Sequence, residues 1–204
     1  MRVVFAFSMV VSLALGAAAC SSATKPIPCS GACSCTDTAC TCQSGGTCTF
    51  GDGGGATPPS NVSISCSSKN ICSGSCSTNC DFSCDGQSTC GSADGGLISV
   101  GTNSTVSCAG TSACNLLAGA GSTLDCKGGS DCTLELESGA TANCTGNSVC
   151  DVTCKPADGG SSDAGCALTC DGSSTCSCAG NCDLTCQHGN PTTCDGGVRR
   201  CGSC

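Results

Sequence analysis

Cysteine is the residue type in this chain whose spacing most suggests chemistry. Three segments, Cys33-Ser-Cys35, Cys40-Thr-Cys42 and Cys176-Ser-Cys178, have the Cys-x-Cys spacing in which neighbouring thiolates can share a soft metal ion. The C-terminal Cys201-Gly-Ser-Cys204 has the Cys-x-x-Cys spacing of redox motifs. A third use is structural, because cysteines in an exported chain pair as disulfides. The rest of the sequence must decide among these three uses.

The composition favours structural disulfides. Of 204 residues, 29 are Cys and 30 are Gly, whereas Trp and Tyr are absent and Phe numbers 4. A cysteine content above about 8–10% in a short chain is typical of a disulfide scaffold. So few large side chains cannot fill an ordinary core, which counts against a TIM barrel, a Rossmann domain or a helical bundle.

Other residues give no support for catalysis. His188 lies in a Gly/Asn/Pro turn with no Ser or Cys placed beside it by a motif, so a catalytic triad is unsupported. Glu135 and Glu137 are expected to alternate outward on a strand as solvated side chains. Cys201 and Cys204 lack the βαβ frame of a redox site and are expected to form a terminal structural staple. The sequence predicts no enzyme, no cofactor and no resident metal ion.

The N-terminus predicts export and lipidation. Arg2 precedes an apolar run from Val3 to Leu15, and small residues follow, so residues 1–19 are predicted to be a signal peptide. Small residues followed by Cys20 resemble the lipobox of bacterial lipoproteins, in which this cysteine is acylated. An ordinary signal peptidase cut before Cys20 is the alternative. By resemblance to the Gram-negative sorting rule, Ser21 implies the outer membrane or cell surface; a secreted or periplasmic protein is the alternative.

Cysteine parity and charge bear on the mature chain. If Cys20 carries lipid, 28 cysteines remain, and all could pair as 14 disulfides. Without Arg2 the chain has 6 basic and 15 acidic residues, a net charge of −9. Such a charge disfavours nucleic acid as a partner.

The chain divides by composition into four further segments. Residues 20–28 form a lipidated N-terminus and tether, and residues 29–50 form a small cluster of six cysteines. Residues 51–60 are a Gly/Pro linker. Residues 61–204 form a repeat domain with a disulfide-capped tail.

The repeat unit is Cys-x-Gly-x-Ser-x-Cys, and its opening cysteines recur three times at a spacing of 18 residues. Gly/Asp/Ser-rich insertions lengthen two other intervals. Cys186 opens a last, longer unit that ends at Cys194. The candidate disulfide cysteines of the other units are Cys66 and Cys72 (a degenerate copy), Cys84 and Cys90, Cys108 and Cys114, Cys126 and Cys132, Cys144 and Cys150, and Cys170 and Cys176.

An apolar residue lies two positions before each opening cysteine. The spacing i, i+2 places this residue and the cysteine on one face of a strand. Each unit is therefore predicted to form a strand, a Gly/Ser turn, a second strand and a Gly-rich turn, with cysteines and aliphatic residues inward. The seven apolar residues are Ile64, Phe82, Val106, Leu124, Ala142, Leu168 and Leu184.

We expect an all-β, disulfide-rich β-solenoid of ~18-residue coils stacked at about 4.8 Å. The alternatives are an array of small disulfide-stapled β-hairpins and a less regular disulfide fold. A bond between Cys108 and Cys114 would close a seven-residue loop worth about 2 kcal/mol. The connectivity stays open, because cysteines of neighbouring coils would also lie near bonding distance.

The repeat units, the lipobox-like signal and Cys-Asp-Φ-Thr-Cys segments such as Cys150-Asp-Val-Thr-Cys154 together resemble cysteine-rich repeat lipoproteins of large-genome bacteria. That group has no established activity, so the resemblance implies architecture and location only. A weaker likeness is to the cysteine-laced β-helices of insect antifreeze proteins. Thr105, Thr123 and Thr141 form one column at the 18-residue period, as an ice-binding face would need.

We therefore predict a lipid-anchored extracytoplasmic structural or interaction protein, serving in adhesion or as an envelope component. Its expected partners are the membrane, through the N-terminal lipid, and an envelope or cell-surface protein or glycan. A thiol-rich metal-binding protein is the alternative, and an ice-binding β-solenoid is a more remote one.

Overall fold

Each repeat unit forms one coil that contains two sheet positions and two tight corners. A computed structural model describes residues 26–51, 57–91, 96–156, 165–202 and 204. The predicted signal peptide, the predicted lipidation site Cys20 and residues 52–56 of the predicted linker lie outside the described residues. None of the described residues form a helix long and apolar enough to cross a membrane.

The described residues form short strands and a single 3-10 turn, Asp195–Gly197. In chain order the strands are β1 (Cys29–Gly31), β2 (Cys33–Cys35), β3 (Ala39–Cys42), β4 (Thr47–Phe50), β5 (Ser63–Cys66), β6 (Ile71–Thr78), β7 (Asp81–Cys84), β8 (Thr89–Cys90), β9 (Ile98–Thr102), β10 (Thr105–Cys108), β11 (Ala113–Ala118), β12 (Thr123–Cys126), β13 (Asp131–Leu136), β14 (Thr141–Cys144), β15 (Val149–Cys154), β16 (Cys166–Cys170), β17 (Thr175–Gly180), β18 (Cys182–Cys186), β19 (Pro191–Thr193) and β20 (Arg199–Cys201).

The chain alternates between two sheets as it winds. Sheet 1 has the order β1-β4-β6-β8-β11-β13-β15-β17-β20-β19, with β9 paired to β6 and β11. Sheet 2 has the order β18-β16-β14-β12-β10-β7-β5-β3-β2. Strands of successive coils are parallel and in register, so that Val106 pairs with Phe82 on one side and Leu124 on the other.

This topology confirms the predicted β-solenoid. Stapled hairpins would pair their own two strands antiparallel, whereas here those strands belong to different sheets and pair with the next coil. The eight parallel strands that sheet 2 contains within the described residues span about 34 Å at about 4.8 Å per step.

Stacked apolar columns form the core between the sheets. The predicted column that precedes the opening cysteines is buried throughout, with exposures of 0–3% from Ile64 to Leu184. Sheet 1 supplies a second column, in which Leu116, Leu134 and Val152 are in register and fully buried. Period-2 alternation explains both columns, because every second residue of each strand points inward.

Residues 29–50, predicted to be a separate cysteine cluster, form the first coil of the same solenoid. Strand β3 pairs parallel with β5, and β4 pairs parallel with β6. The ring of Phe50 in this coil lies 5.9 Å from that of Phe82 between centroids. The first coil therefore shares the core of the repeat coils.

Antiparallel strands close the ends of the solenoid. At the N-terminal end, β1 pairs with β4 and β2 pairs with β3. At the C-terminal end, β20 pairs with both β17 and β19. In addition, Arg199 Nη1 donates a hydrogen bond to the carbonyl oxygen of Cys182, 2.9 Å away at the edge of sheet 2. Such caps protect the exposed strand edges of a stack from pairing with other chains.

Candidate functional site

Six disulfides of identical spacing cross the corner that leads from sheet 2 into sheet 1. Each bonds the last residue of a sheet 2 strand to a cysteine six residues later in sheet 1, and all twelve cysteines are buried. We term them the corner disulfides. They are Cys66–Cys72, Cys84–Cys90, Cys108–Cys114, Cys126–Cys132, Cys144–Cys150 and Cys170–Cys176. Each bond lies within one coil, so it restricts that coil and does not tie it to the next.

Three more disulfides lie at the opposite corner, where the chain returns from sheet 1 to sheet 2. They are Cys76–Cys80, Cys154–Cys166 and Cys178–Cys182. Cys76 and Cys154 occupy the same register position of sheet 1. In the coils between them, this position is occupied by Val100, Ala118 and Leu136. A disulfide and an apolar side chain therefore substitute for each other at one core position.

The end caps carry four disulfides whose partners the sequence does not reveal. Cys33 bonds to Cys48 and Cys35 to Cys40 at the N-terminal end. At the other end the bonds are Cys186–Cys201 and Cys194–Cys204. Cys201 and Cys204 thus do not form a staple with each other, and Cys186 does not close a unit with Cys194. The reason is β20, which returns antiparallel beside β17 and brings the tail to the last coil.

Of the 28 cysteines after Cys20, 26 are disulfide-bonded in the described residues, and Cys29 and Cys42 are not. Thirteen disulfides therefore form where the parity of the sequence allowed fourteen. Cys29 is exposed and Cys42 is buried. Burial, together with the nearby Cys29 thiol, raises the pKa of Cys42 to about 11. Extensive disulfide bonding indicates an oxidising, extracytoplasmic environment.

Stacking brings cysteine sulfurs of adjacent coils close together. The sulfurs of Cys66, Cys84 and Cys90 lie within 4.8 Å of one another, and so do those of Cys84, Cys108 and Cys114. All of these sulfurs are consumed in corner disulfides, so they become metal ligands only after reduction. In the Cys-x-Cys segments likewise, five of the six cysteines are bonded and only Cys42 is a thiol.

The serine of the repeat motif has a structural role that its sequence pattern alone did not reveal. Ser88, Ser112, Ser130 and Ser148 are buried at the corner disulfides. The Ser148 hydroxyl lies within hydrogen-bonding distance of Thr145 O (2.7 Å) in its own corner and Cys126 O (3.1 Å) in the coil below. Ser130 Oγ reaches Cys108 O in the same way. The recurrence of Ser in every regular unit is the signal that could have revealed this role.

The outer surface of sheet 2 carries mainly small hydroxyl, amide and carboxylate side chains in two columns, which we term the hydroxyl face. Parallel register aligns Thr105, Thr123 and Thr141 in one column, as their spacing predicts. Asn143 Nδ2 donates a hydrogen bond of 2.9 Å to Asp125 Oδ1. The columns are Ser63, Asp81, Thr105, Thr123, Thr141, Ala167 and Asp183, and Ser65, Ser83, Ser107, Asp125, Asn143, Thr169 and Thr185.

The acidic residues considered for catalysis make structural contacts. Glu135 forms an ion pair with Lys155 on the outer surface of sheet 1. Glu137 does not continue the strand as expected, because β13 ends at Leu136. Its carboxylate instead accepts a hydrogen bond of 3.1 Å from the Ala120 N–H of the preceding coil. His188 is exposed in the segment after β18.

The chain was also compared with known proteins. No protein-family model, curated protein sequence or solved structure matches it.

Proposed function

We propose that this chain is a lipid-anchored extracytoplasmic rod of the cell envelope that acts as a structural or interaction module and not as an enzyme. The observation that carries the proposal is the stack of coils, each regular one stapled at a corner by its own buried disulfide, in a chain whose sequence begins with a signal-like segment followed by Cys20. Coils with covalently stapled corners suit a protein that must persist where no reducing system maintains it.

The hydroxyl face is the surface that we assign to the interaction. Its side chains are short, and Asp81, Asp125 and Asp183 make it acidic, since neither column contains Lys or Arg. A partner that fits this face offers hydrogen-bond donors or positive charge over an extended flat area, as an envelope protein or glycan can.

Acyl labelling tests the anchor. Cells that express the full chain are grown with a labelled fatty acid and fractionated. Wild-type protein and Cys29→Ser, which removes an exposed thiol that is not bonded, are expected to carry label and to remain with the membrane. Cys20→Ala is expected to lose both properties. Label or membrane retention in Cys20→Ala would contradict the proposal.

Binding to isolated envelopes tests the interaction. Purified Cys20→Ala protein is expected to bind envelope preparations saturably, and a further Thr123→Lys and Thr141→Lys pair should weaken that binding at least tenfold. Thr133→Lys, on an exposed position of sheet 1, is the matched control and should leave binding unchanged. If Thr133→Lys weakens binding as much as the Thr123→Lys and Thr141→Lys pair, or if no saturable binding is found, the hydroxyl face is not the binding surface.

Metal sequestration by a reduced form is the second candidate. The sulfur triads within 4.8 Å across coils favour it, because their thiolates would share a soft metal ion. A thiol assay and zinc analysis on protein taken directly from its native compartment decide between the two. Two or fewer thiols per chain and no bound zinc favour the rod, whereas many thiols with stoichiometric zinc favour sequestration.

A further inference from the structure

Cys42 occupies the corner-disulfide position of the first coil. It is the last residue of β3, as Cys66 is of β5, and it follows Thr41, which pairs in register with Ser65. Cys48 in turn pairs in register with Cys72. Cys42 and Cys48 are six residues apart, the separation of all six corner disulfides. The register of the solenoid therefore assigns Cys42 and Cys48 to each other.

The structure shows a different bond in this coil. Cys48 is bonded to Cys33 of the cap strand β2, and Cys33 lies directly opposite Cys42 across the antiparallel pair β2 and β3. Cys35 and Cys40, the next facing pair in the same two strands, are bonded. Cys33 is thus in register with Cys42 but bonded to Cys48.

The Cys42 thiol lies beside the corner disulfide Cys66–Cys72 of the next coil. Its Sγ lies 2.8 Å from Sγ of Cys72, which belongs to the neighbouring corner disulfide. Its own coil places Cys33 opposite it and Cys48 at the repeat position. A thiol that contacts one disulfide and lies in register beside a cysteine of another is placed for exchange, in which a thiolate attacks one sulfur and expels the other.

We propose that the first coil is a thiol–disulfide exchange site that reacts with a small external disulfide through Cys29 and Cys33. In the internal step, the Cys42 thiolate attacks Sγ of Cys48. The Cys42–Cys48 bond forms, the Cys33–Cys48 bond breaks, and the Cys33 thiolate takes up the proton that Cys42 has lost. No electrons are exchanged with the surroundings, and the coil acquires the pairing of the other coils.

The internal step moves a thiol from the core to the cap. Cys29 is exposed and Cys33 is partly exposed, and Cys33 Sγ lies 2.9 Å from the carbonyl oxygen of Ser30, the residue next to Cys29. Cys33 then gives up its proton and attacks an external disulfide RS–SR as the thiolate, forming a mixed disulfide, and the departing RS⁻ takes up the proton as RSH. Cys29 then attacks this mixed disulfide, closes Cys29–Cys33 and releases a second RSH, so two electrons pass to the external disulfide.

Disulfide mapping of the full chain tests this exchange. The protein is incubated with glutathione disulfide near pH 9, acidified, alkylated and cleaved before Asp37 and Asp52. This cleavage separates Cys29, Cys33 and Cys35 from Cys40, Cys42 and Cys48. The two peptides should then be joined by the Cys35–Cys40 bond alone. The Cys29–Cys33 bond should lie within the first peptide and the Cys42–Cys48 bond within the second. Two molecules of reduced glutathione should be released per chain.

Cys42→Ser tests whether the second thiol release requires Cys42, because it removes the attacking sulfur and leaves both peptides. It is expected to retain Cys33–Cys48, to release one glutathione thiol and to carry one glutathione at Cys29. Release of two thiols by Cys42→Ser would overturn the proposal. So would wild-type protein that closes Cys29–Cys42 and keeps Cys33–Cys48, a result that does not depend on the folding of any variant.

Discussion

Cys108 and Cys126 pair in register between parallel strands β10 and β12, yet each is bonded within its own coil, to Cys114 and to Cys132. The disulfides therefore stabilise single coils, whereas cohesion between coils depends on the backbone ladders and the stacked apolar columns. This division explains how so short a repeat can serve as a structural unit: the disulfide lowers the entropy of the open coil, and stacking buries its inner face.

Truncation of the apolar column should destabilise the whole stack. Leu134 is fully buried between Leu116 and Val152, so Leu134→Ala is expected to lower the free energy of unfolding by about 2–5 kcal/mol. Thr133→Ala, the adjacent exposed position, should change it by less than about 0.5 kcal/mol. Denaturant unfolding measures both, and equal effects would show that the column does not carry the stacking energy.

Glycine at the corner is required by both backbone conformation and close stacking. Gly128 has φ of 72°, and a Cβ there would lie 3.3 Å from the backbone nitrogen of Gly110. Gly45 has φ of 73°, but a Cβ added there would meet no other part of the described chain within 4 Å, so Gly45→Ala isolates the conformational cost of about 1–2 kcal/mol. Gly128→Ala should cost more than Gly45→Ala in thermal unfolding. The reverse order would contradict the stacking argument.

The buried serine should contribute through its hydrogen bonds. Ser148→Ala removes a hydroxyl that can donate to Thr145 O or to Cys126 O and is expected to cost about 0.5–1.5 kcal/mol, the net contribution of one hydrogen bond, because Cys126 O keeps the backbone N–H of Thr145. Ser107→Ala, on the hydroxyl face, is the matched control and should be nearly neutral. A Ser148→Ala protein as stable as wild type would mean that this hydroxyl only fills space.

The Cys42 thiol should become reactive only in alkaline solution. Burial raises its pKa to about 11, so the protonated form is favoured up to that pH, and the thiolate fraction rises about tenfold per pH unit below it. Alkylation of Cys42 by iodoacetamide, followed on the peptide 37–51, should increase accordingly between about pH 8 and pH 10. Cys29→Ala, which removes the neighbouring thiol whose charge contributes to this shift, should give faster alkylation of Cys42 at the alkaline end of this range. A rate that levels off below pH 9 would contradict the raised pKa.

The repeat made the fold predictable. The units repeat at 18 residues, and each has an apolar residue two positions before its opening cysteine. If each unit forms one coil, these apolar residues stack in one buried column, as Val106 and Leu124 do. Insertions did not obscure this, because β8 and β9 flank residues 92–95 and both remain paired with β11. The alignment of Thr105, Thr123 and Thr141 within the hydroxyl face followed from the same period.

The ends were less predictable, because antiparallel cap strands set their pairing. The partner of Cys201 depends on how β20 returns beside β17, and no repeat specifies that return. In the first coil, Cys42 and Cys48 have the spacing of the repeat, but the residues between them lack its Gly-x-Ser pattern. Residues 29–50 were therefore predicted to be a cysteine cluster distinct from the repeat domain. The cap strand β2 supplies Cys33, which bonds to Cys48 and leaves Cys42 as a thiol.

Assignment of the Cys126 partner is the most direct test that the disulfides are confined to single coils. Cleavage before Asp and after Glu residues places Cys126 on peptide 125–130, Cys132 on peptide 131–135, and Cys144 with Cys150 on peptide 138–150. Digestion of denatured, alkylated, unreduced protein should yield peptide 125–130 linked only to peptide 131–135, and peptide 138–150 with an internal bond. Linkage of peptide 125–130 to peptide 138–150, or to a peptide that contains Cys108, would contradict the account.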